Sequence, residues 1–200
     1  MKSPALRFPS RARRSGFTLI ELLVVIGIIA ILASLAFPVT QAVLNRAYKL
    51  KAQAMVKDLQ VAINNYLTEY NRLPQQGDTE TPTPTDGGSQ LIGILMGESS
   101  GQNSMNPRGI VFLNANTAKN NRGGIIDNGG AQISLVDQWG NPYYVVMDGN
   151  YDNKIANPDV QSQDQTVSQG APPQLRTRVA VYCIGPDGQL NTKDDIVSWR

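Results

Sequence analysis

The sequence has no histidine and only one cysteine in 200 residues. The missing imidazoles remove histidine acid/base catalysis, Ser-His triads and most zinc sites together. The lone Cys183 cannot form an internal disulfide, and its apolar, strand-like surroundings mark it as a small core residue. Aromatic residues make up 6% of the chain and charged residues 17%. The formal charge of +2 includes no basic run of the kind that nucleic-acid binding needs. No internal repeat is visible.

What the sequence does contain is concentrated near its start. Five basic residues and no acids, Lys2, Arg7, Arg11, Arg13 and Arg14, precede the small pair Ser15-Gly16. From Phe17 to Phe37 follow 21 residues in which Glu21 is the only charge. A helix of that length spans roughly 30 Å, the hydrocarbon thickness of a bilayer. The positive-inside bias keeps the basic leader in the cytoplasm and places the residues after about 40 across the membrane. A secretory signal puts its small-residue cleavage site after a short apolar core. Here the small residues come first, so cleavage at Gly16 would remove the leader and keep the apolar helix. Without the five leader cations the chain has 13 basic and 16 acidic residues, net −3.

Glu21 is out of place in such a segment. A carboxylate at the centre of a membrane helix costs on the order of 2.5–3.5 kcal/mol. It either sits one turn inside and reaches the interface, or it pairs with a cation when helices pack together. Cleavage after Gly16 would create that cation, the new amino group of Phe17.

Gly16-Phe17-Thr18-Leu19-Ile20-Glu21 resembles the processing site of type IV pilins and of type II secretion pseudopilins. The resemblance implies that a prepilin peptidase cuts after Gly16 and N-methylates Phe17. It implies that Glu21 helps dock each subunit into a helical filament. Pro38 falls where the family often has a helix-kinking proline. The expected fold is α+β and type IV pilin-like, with a long N-terminal helix packed on a small C-terminal antiparallel sheet with long loops.

The rest of the chain reads in agreement. Met55, Leu59, Ala62, Ile63, Tyr66 and Tyr70 recur at helical spacing, with Lys51, Lys57, Asp58, Asn64 and Glu69 on other faces. This predicts an amphipathic continuation over 38–72, ended by Leu73-Pro74. Residues 75–89 read as a loop, 90–96 as a short helix, and 97–130 as irregular, with Val111-Phe112-Leu113 a packed segment. Strand composition covers 142–148 and 177–184, with a short third strand over 196–199 and a polar connection over 149–175. The expected organisation is a cleaved leader over 1–16, a transmembrane and assembly helix over 17–37, its continuation over 38–72 and a periplasmic domain over 73–200.

A second cluster places Asp187, Asp194 and Asp195 in one turn with Gly185 and Gly188. Carboxylates brought together repel one another without a cation, and calcium accepts carboxylates and carbonyls in flexible coordination. A solvated acidic turn is the plainer alternative. Asp137-Gln138-Trp139-Gly140-Asn141-Pro142-Tyr143, followed by the segment from Gly185 to Trp199, looks like the C-terminal half of the major pseudopilin of type II secretion. That resemblance implies a calcium loop, with Asp187, Asp194 and Asp195 as side-chain ligands and carbonyls near Ile184, Gln189 and Thr192. Residues 75–136 and 149–175 are longer and more polar than such a subunit requires. Asp148-x-Asn150-x-Asp152 has half of an EF-hand spacing, with Asp159 at the twelfth position. Asn153 replaces the loop glycine and no helices flank it, so a turn is the better reading. Trp139 and Trp199 read as covers of the core.

The function so implied is a structural, non-enzymatic subunit in the inner membrane, spanning it once with its C-terminal domain in the periplasm. Its partners would be the prepilin peptidase, identical subunits, minor pseudopilins, an inner-membrane assembly platform and the membrane itself, and no nucleic acid. A type IV pilin or minor pilin for adhesion, motility or DNA uptake is the alternative; it would share the first 72 residues.

Overall fold

The computed structural model describes residues 16–75, 77, 79–98, 104–127, 129 and 132–200, with backbone alone for 35–40. The chain divides into two compact units, Met1–Leu44 and Asn45–Arg200. Helix α1, Leu19–Tyr70, is 52 residues long and is helical through Pro38. It begins two residues later than the apolar run, because Thr18 caps it. It ends at Tyr70 rather than at 72, because Asn71 turns left-handed with φ 51°, a conformation Asn tolerates at helix ends.

In the second unit, one stripe of α1 is buried: Ala52, Val56, Leu59, Ile63 and Tyr66. The 3–4-residue spacing puts these side chains on one face, and they join Tyr143, Val145, Val179 and Val181 of the sheet in the main core. Tyr66, Tyr70 and Phe112 form a ring cluster at one end, with centroids 4.8–6.0 Å apart. The Met and Tyr stripe anticipated from periodicity is therefore core, with Met55 and Tyr70 at its edge.

The main sheet is antiparallel. It orders β1 (Thr83–Pro84), β4 (Tyr143–Met147), β7 (Val179–Cys183) and β8 (Ile196–Val197) side by side. Register pairs Tyr143 with Cys183 and Met147 with Val179. Alternation along these strands decides the layers. Tyr143, Val145, Met147, Val179, Val181 and Cys183 lie in the main core. Val146, Ala180, Tyr182 and Val197 lie in a second cluster with Ile155 and Leu175, contributed by the small pair β5 (Ile155–Ala156) and β6 (Gln174–Leu175). Both faces are covered, which is why β4 and β7 read as unbroken apolar runs.

Several elements were not legible beforehand. Residues 75–89 contain β1, and the region read as irregular contains β2 (Gly124–Asp127), which pairs with β3 (Ile133–Val136). Thr85, fully buried, joins this hairpin to the main sheet: its hydroxyl donates to the Leu135 carbonyl at 2.7 Å and accepts from the Tyr143 N–H at 2.9 Å. Helix α2 (Leu91–Met96) is where the sequence puts it, closed by Gly97 at φ 78°. The packed segment at 111–113 is anchored by the Phe112 and Leu113 N–H groups, which both donate to the Leu95 carbonyl. Buried Asn106 fastens the same region: its amide donates to the Ile94 and Ile110 carbonyls, and its oxygen accepts from Ile110 N–H and the Tyr70 hydroxyl.

Candidate functional site

At the start of α1, Thr18 and Glu21 close a reciprocal capping box. The Thr18 N–H and hydroxyl each donate to Glu21 Oε2 at 2.8 Å, and the Glu21 N–H donates to Thr18 Oγ1 at 3.3 Å. The box satisfies helix-start donors that would otherwise be orphaned. The Thr-x-x-Glu spacing is a capping-box signature contained in the sequence itself. Gly16 and Phe17 precede the helix, and Phe17 is 82% exposed. The other leader residues lie outside the described residues.

The expected membrane span over 17–37 falls partly on residues described by backbone alone. Among the described residues no helix is long and apolar enough to cross a membrane. With 35–40 described by backbone alone, the side chains from Leu19 to Ser34 cover 16 helical residues, about 24 Å at the helical rise against roughly 30 Å of hydrocarbon. Within that stretch Leu19, Ile20, Leu23, Ile26, Ile29 and Leu32 are all exposed. Exposed apolar area on this scale marks a surface made for a membrane or a partner helix.

The acidic turn lies between β7 and β8. Gly185, Gly188 and Asn191 all adopt left-handed φ of 64–67°. A Cβ on Gly185 would lie 2.6 Å from the Asp194 carbonyl oxygen, so glycine is needed there for close approach. The three aspartates hold the loop from within. Asp187 Oδ1 accepts from the Gln189 N–H at 2.9 Å. Asp194 Oδ1 accepts from the Thr192 hydroxyl at 2.8 Å. Asp195 Oδ2 accepts from the Asn191 and Thr192 N–H groups. Burial, with the neighbouring Asp194 charge, pushes the Asp195 carboxyl up to about 6, against the pull of those hydrogen bonds. The Asn141 amide donates to the Gly185 carbonyl at 3.0 Å, tying the 137–143 segment to the loop. Asp137 Oδ1 in turn accepts from the Trp139, Gly140 and Asn141 N–H groups. Cys183 is buried, and desolvation with the Asp137 charge raises its thiol to about 12, so it is inert packing.

Among the described residues the carboxylates that converge most closely are not these three. Glu80, Asp148 and Asp152 bring ligand oxygens within 4.8 Å of one another. Burial first, then the charges of Asp152 and Asp148, push Glu80 up, and its Oε1 has no hydrogen-bond partner. The 148–154 loop is the turn the sequence suggested. Asp148 accepts from the Asp152 and Asn153 N–H groups, and Asn153 takes φ 62° in place of a glycine. Asp159 is not part of it, because it accepts from Trp199 Nε1 at 2.7 Å and pairs with Arg200. Glu80 could not be joined to this loop from sequence, 68 positions away.

The N-terminal helix with small antiparallel sheets is an α+β arrangement consistent with a type IV pilin-like fold. Residues 11–37 match the prokaryotic N-terminal methylation motif. The chain is 26% identical over 190 residues to the type II secretion system core protein G of Aeromonas hydrophila, covering 95% of each protein, and the two findings together support a pseudopilin. No solved structure matches.

Proposed function

We propose that the chain is a structural subunit of a type II secretion pseudopilus and not an enzyme. The observation that carries this is the methylation motif at 11–37 on a chain similar from end to end to a secretion core protein. In this reading prepilin peptidase cuts after Gly16 and methylates Phe17. The apolar helix over 17–37 then holds the subunit in the inner membrane, with the second unit in the periplasm. Identical subunits and minor pseudopilins assemble on an inner-membrane platform into a filament that drives export. The exposed apolar side chains of α1 become its packed centre.

Glu21 has two tasks in this scheme, which act at different times. In the single chain it completes the capping box. In the filament its carboxylate faces the new amine of a neighbouring Phe17. Thr18→Val removes the hydroxyl of the cap and keeps the charge; Glu21→Ala removes the charge and the carboxylate half of the cap. The expected result is near-normal filament yield for Thr18→Val and severe loss for Glu21→Ala, with both chains still inserted. Equal loss in the two variants would reduce Glu21 to a helix cap. Co-expression with prepilin peptidase tests the scheme itself: mass spectrometry should find a mature chain starting at methylated Phe17, and an uncut leader refutes it.

The acidic turn is suited to calcium in its chemistry. All of its donors are hard oxygens, and three carboxylates share one turn. The absence of a side chain at Gly185 leaves room for the Asp194 carbonyl oxygen. Asp187, Asp194 and Asp195 would hold the ion, with carbonyls near Ile184, Gln189 and Thr192. Calcium there would offset the burial and the Asp194 charge that raise Asp195, and stiffen the connection between β7 and β8.

A further inference from the structure

The fold leaves two surfaces of the second unit with unmatched charge. The first is a groove walled by Tyr48 and Lys51 of α1 and by the turn from Lys119 to Arg122, and lined also by Gln138. It encloses about 780 Å³ and no acidic residue lines it; Asp58 belongs to the adjoining cavity, which shares Lys51. Lys119 and Arg122 exchange backbone hydrogen bonds of 3.0 and 3.1 Å, and Asn120 and Asn121 sit at φ 52° and 58°. Such a type I′ turn holds its flanking residues side by side. Lys51, Lys119 and Arg122 are exposed.

The second surface is the cluster of Glu80, Asp148 and Asp152. Asp152 is exposed, Glu80 half-buried and Asp148 fully buried. Glu80 Oε1 accepts no hydrogen bond, and the charges that act on Glu80 are those of the other two carboxylates. The two salt bridges among the described residues, Arg108 with Glu69 and Arg200 with Asp159, involve neither surface.

Within one chain the two surfaces lie too far apart to neutralise each other. The groove lies at the start of β4, where Tyr143 lines the adjoining cavity that shares Lys51, Gly123 and Gln138 with it. The carboxylates lie past the end of β4, where Met147 leads into Asp148. From Tyr143 to Asp148 the strand rises roughly 16 Å, beyond the ~8 Å over which exposed charges act in physiological salt. Carboxylates brought together call for a cation, and clustered cations call for an acid by the same repulsion. A groove of one sign is disfavoured against its own copy, which argues against a symmetric dimer through it. It fits the opposite-signed cluster of a second copy. A contact between two different patches is heterologous, and one that does not close builds a helical filament. Exposed ion pairs add little energy singly, but they fix register and reject wrong partners.

We propose that the groove of one subunit receives the Glu80, Asp148 and Asp152 cluster of a second copy; this rests on the filament reading above. Lys51, Lys119 and Arg122 supply the missing cations, and exposed Asp152 makes the leading contact. The test uses the full chain, co-expressed with prepilin peptidase and the assembly platform, with Asn116→Cys in the groove wall and Asn150→Cys beside Asp152. Both positions are exposed, and Cys183 is buried. Isolated filaments are oxidised and run without reductant. Chains carrying both substitutions should link into ladders, and a mixture of the two single variants should give dimers. Linking should fall about tenfold in Lys119→Glu/Arg122→Glu, since like charges set against each other across an interface are strongly unfavourable, and fall less in the Gln pair. Adding Asp152→Lys to the Glu pair should restore it, which a merely structural defect would not allow. Filaments without the link overturn the proposal. So does linking between chains that carry only Asn116→Cys, and so does a loss that Asp152→Lys fails to reverse. A wild-type chain that is processed yet forms no filament overturns the filament reading, and the proposal with it.

Discussion

Removing one carboxylate from the acidic turn gives the sharpest quantitative test. If calcium binds only the native domain, it stabilises by RT ln(1 + [L]/Kd), about 2.7 kcal/mol at a hundredfold excess over Kd. For a domain of this size each kcal/mol moves the midpoint by roughly 2–4 °C, so calcium should raise it by about 5–11 °C on these figures. The assay is calorimetric unfolding of residues 45–200, the second compact unit, in calcium and in EGTA. Asp187→Ala should abolish the rise and leave the EGTA midpoint nearly unchanged, because Asp187 is exposed and its carboxylate accepts a local bond from the Gln189 N–H. Glu80→Gln, in the separate carboxylate cluster, should leave the rise intact. A midpoint insensitive to calcium would refute the reasoning. So would a rise that survives Asp187→Ala and disappears in Glu80→Gln, which would assign the ion to Glu80, Asp148 and Asp152.

The same loop has a pH signature. Asp195 titrates near 6 in the folded domain and near 3.8 when unfolded, so the native state holds the extra proton between those values. In EGTA the midpoint should therefore fall as pH rises from 4 to 6, and calcium should bind more weakly below pH 6; a midpoint rising in EGTA over that window, once other carboxylates are accounted for with Asp195→Asn, contradicts it. Gly185→Ala places a side chain at φ 65° and 2.6 Å from the Asp194 carbonyl, and should cost on the order of 2–4 kcal/mol in urea unfolding. Asn106→Ala removes four hydrogen bonds from a fully buried site, and should cost about 2–4 kcal/mol by leaving carbonyls unpaired; a loss below about 0.5 kcal/mol would mean water replaces the amide.

The sequence by itself determined what depends on local periodicity and on contiguous motifs. The apolar run, the leader charges and the Gly-Phe…Glu spacing fall within one short segment, and the cap formed by Thr18 and Glu21 is likewise a matter of four consecutive residues. The long helix and its buried stripe follow from a repeat of 3–4 residues that the backbone enforces wherever it occurs, and strands β4 and β7 from runs of β-branched and aromatic residues. The acidic turn is similarly local, so its three aspartates were legible as a group. Tertiary structure alone decided the rest. Strands β1, β2, β3, β5 and β6 run only two to four residues, too short for a period to register; β1 exists because it pairs with the longer β4, and β2 with β3 and β5 with β6 because each strand satisfies its partner's backbone groups. Glu80 meets Asp148 and Asp152, and Lys51 lines one groove with Lys119 and Arg122, only because segments distant in sequence come together in space. Charge gathered in this way leaves no run in the sequence, since the attraction and repulsion that matter depend on separation in space.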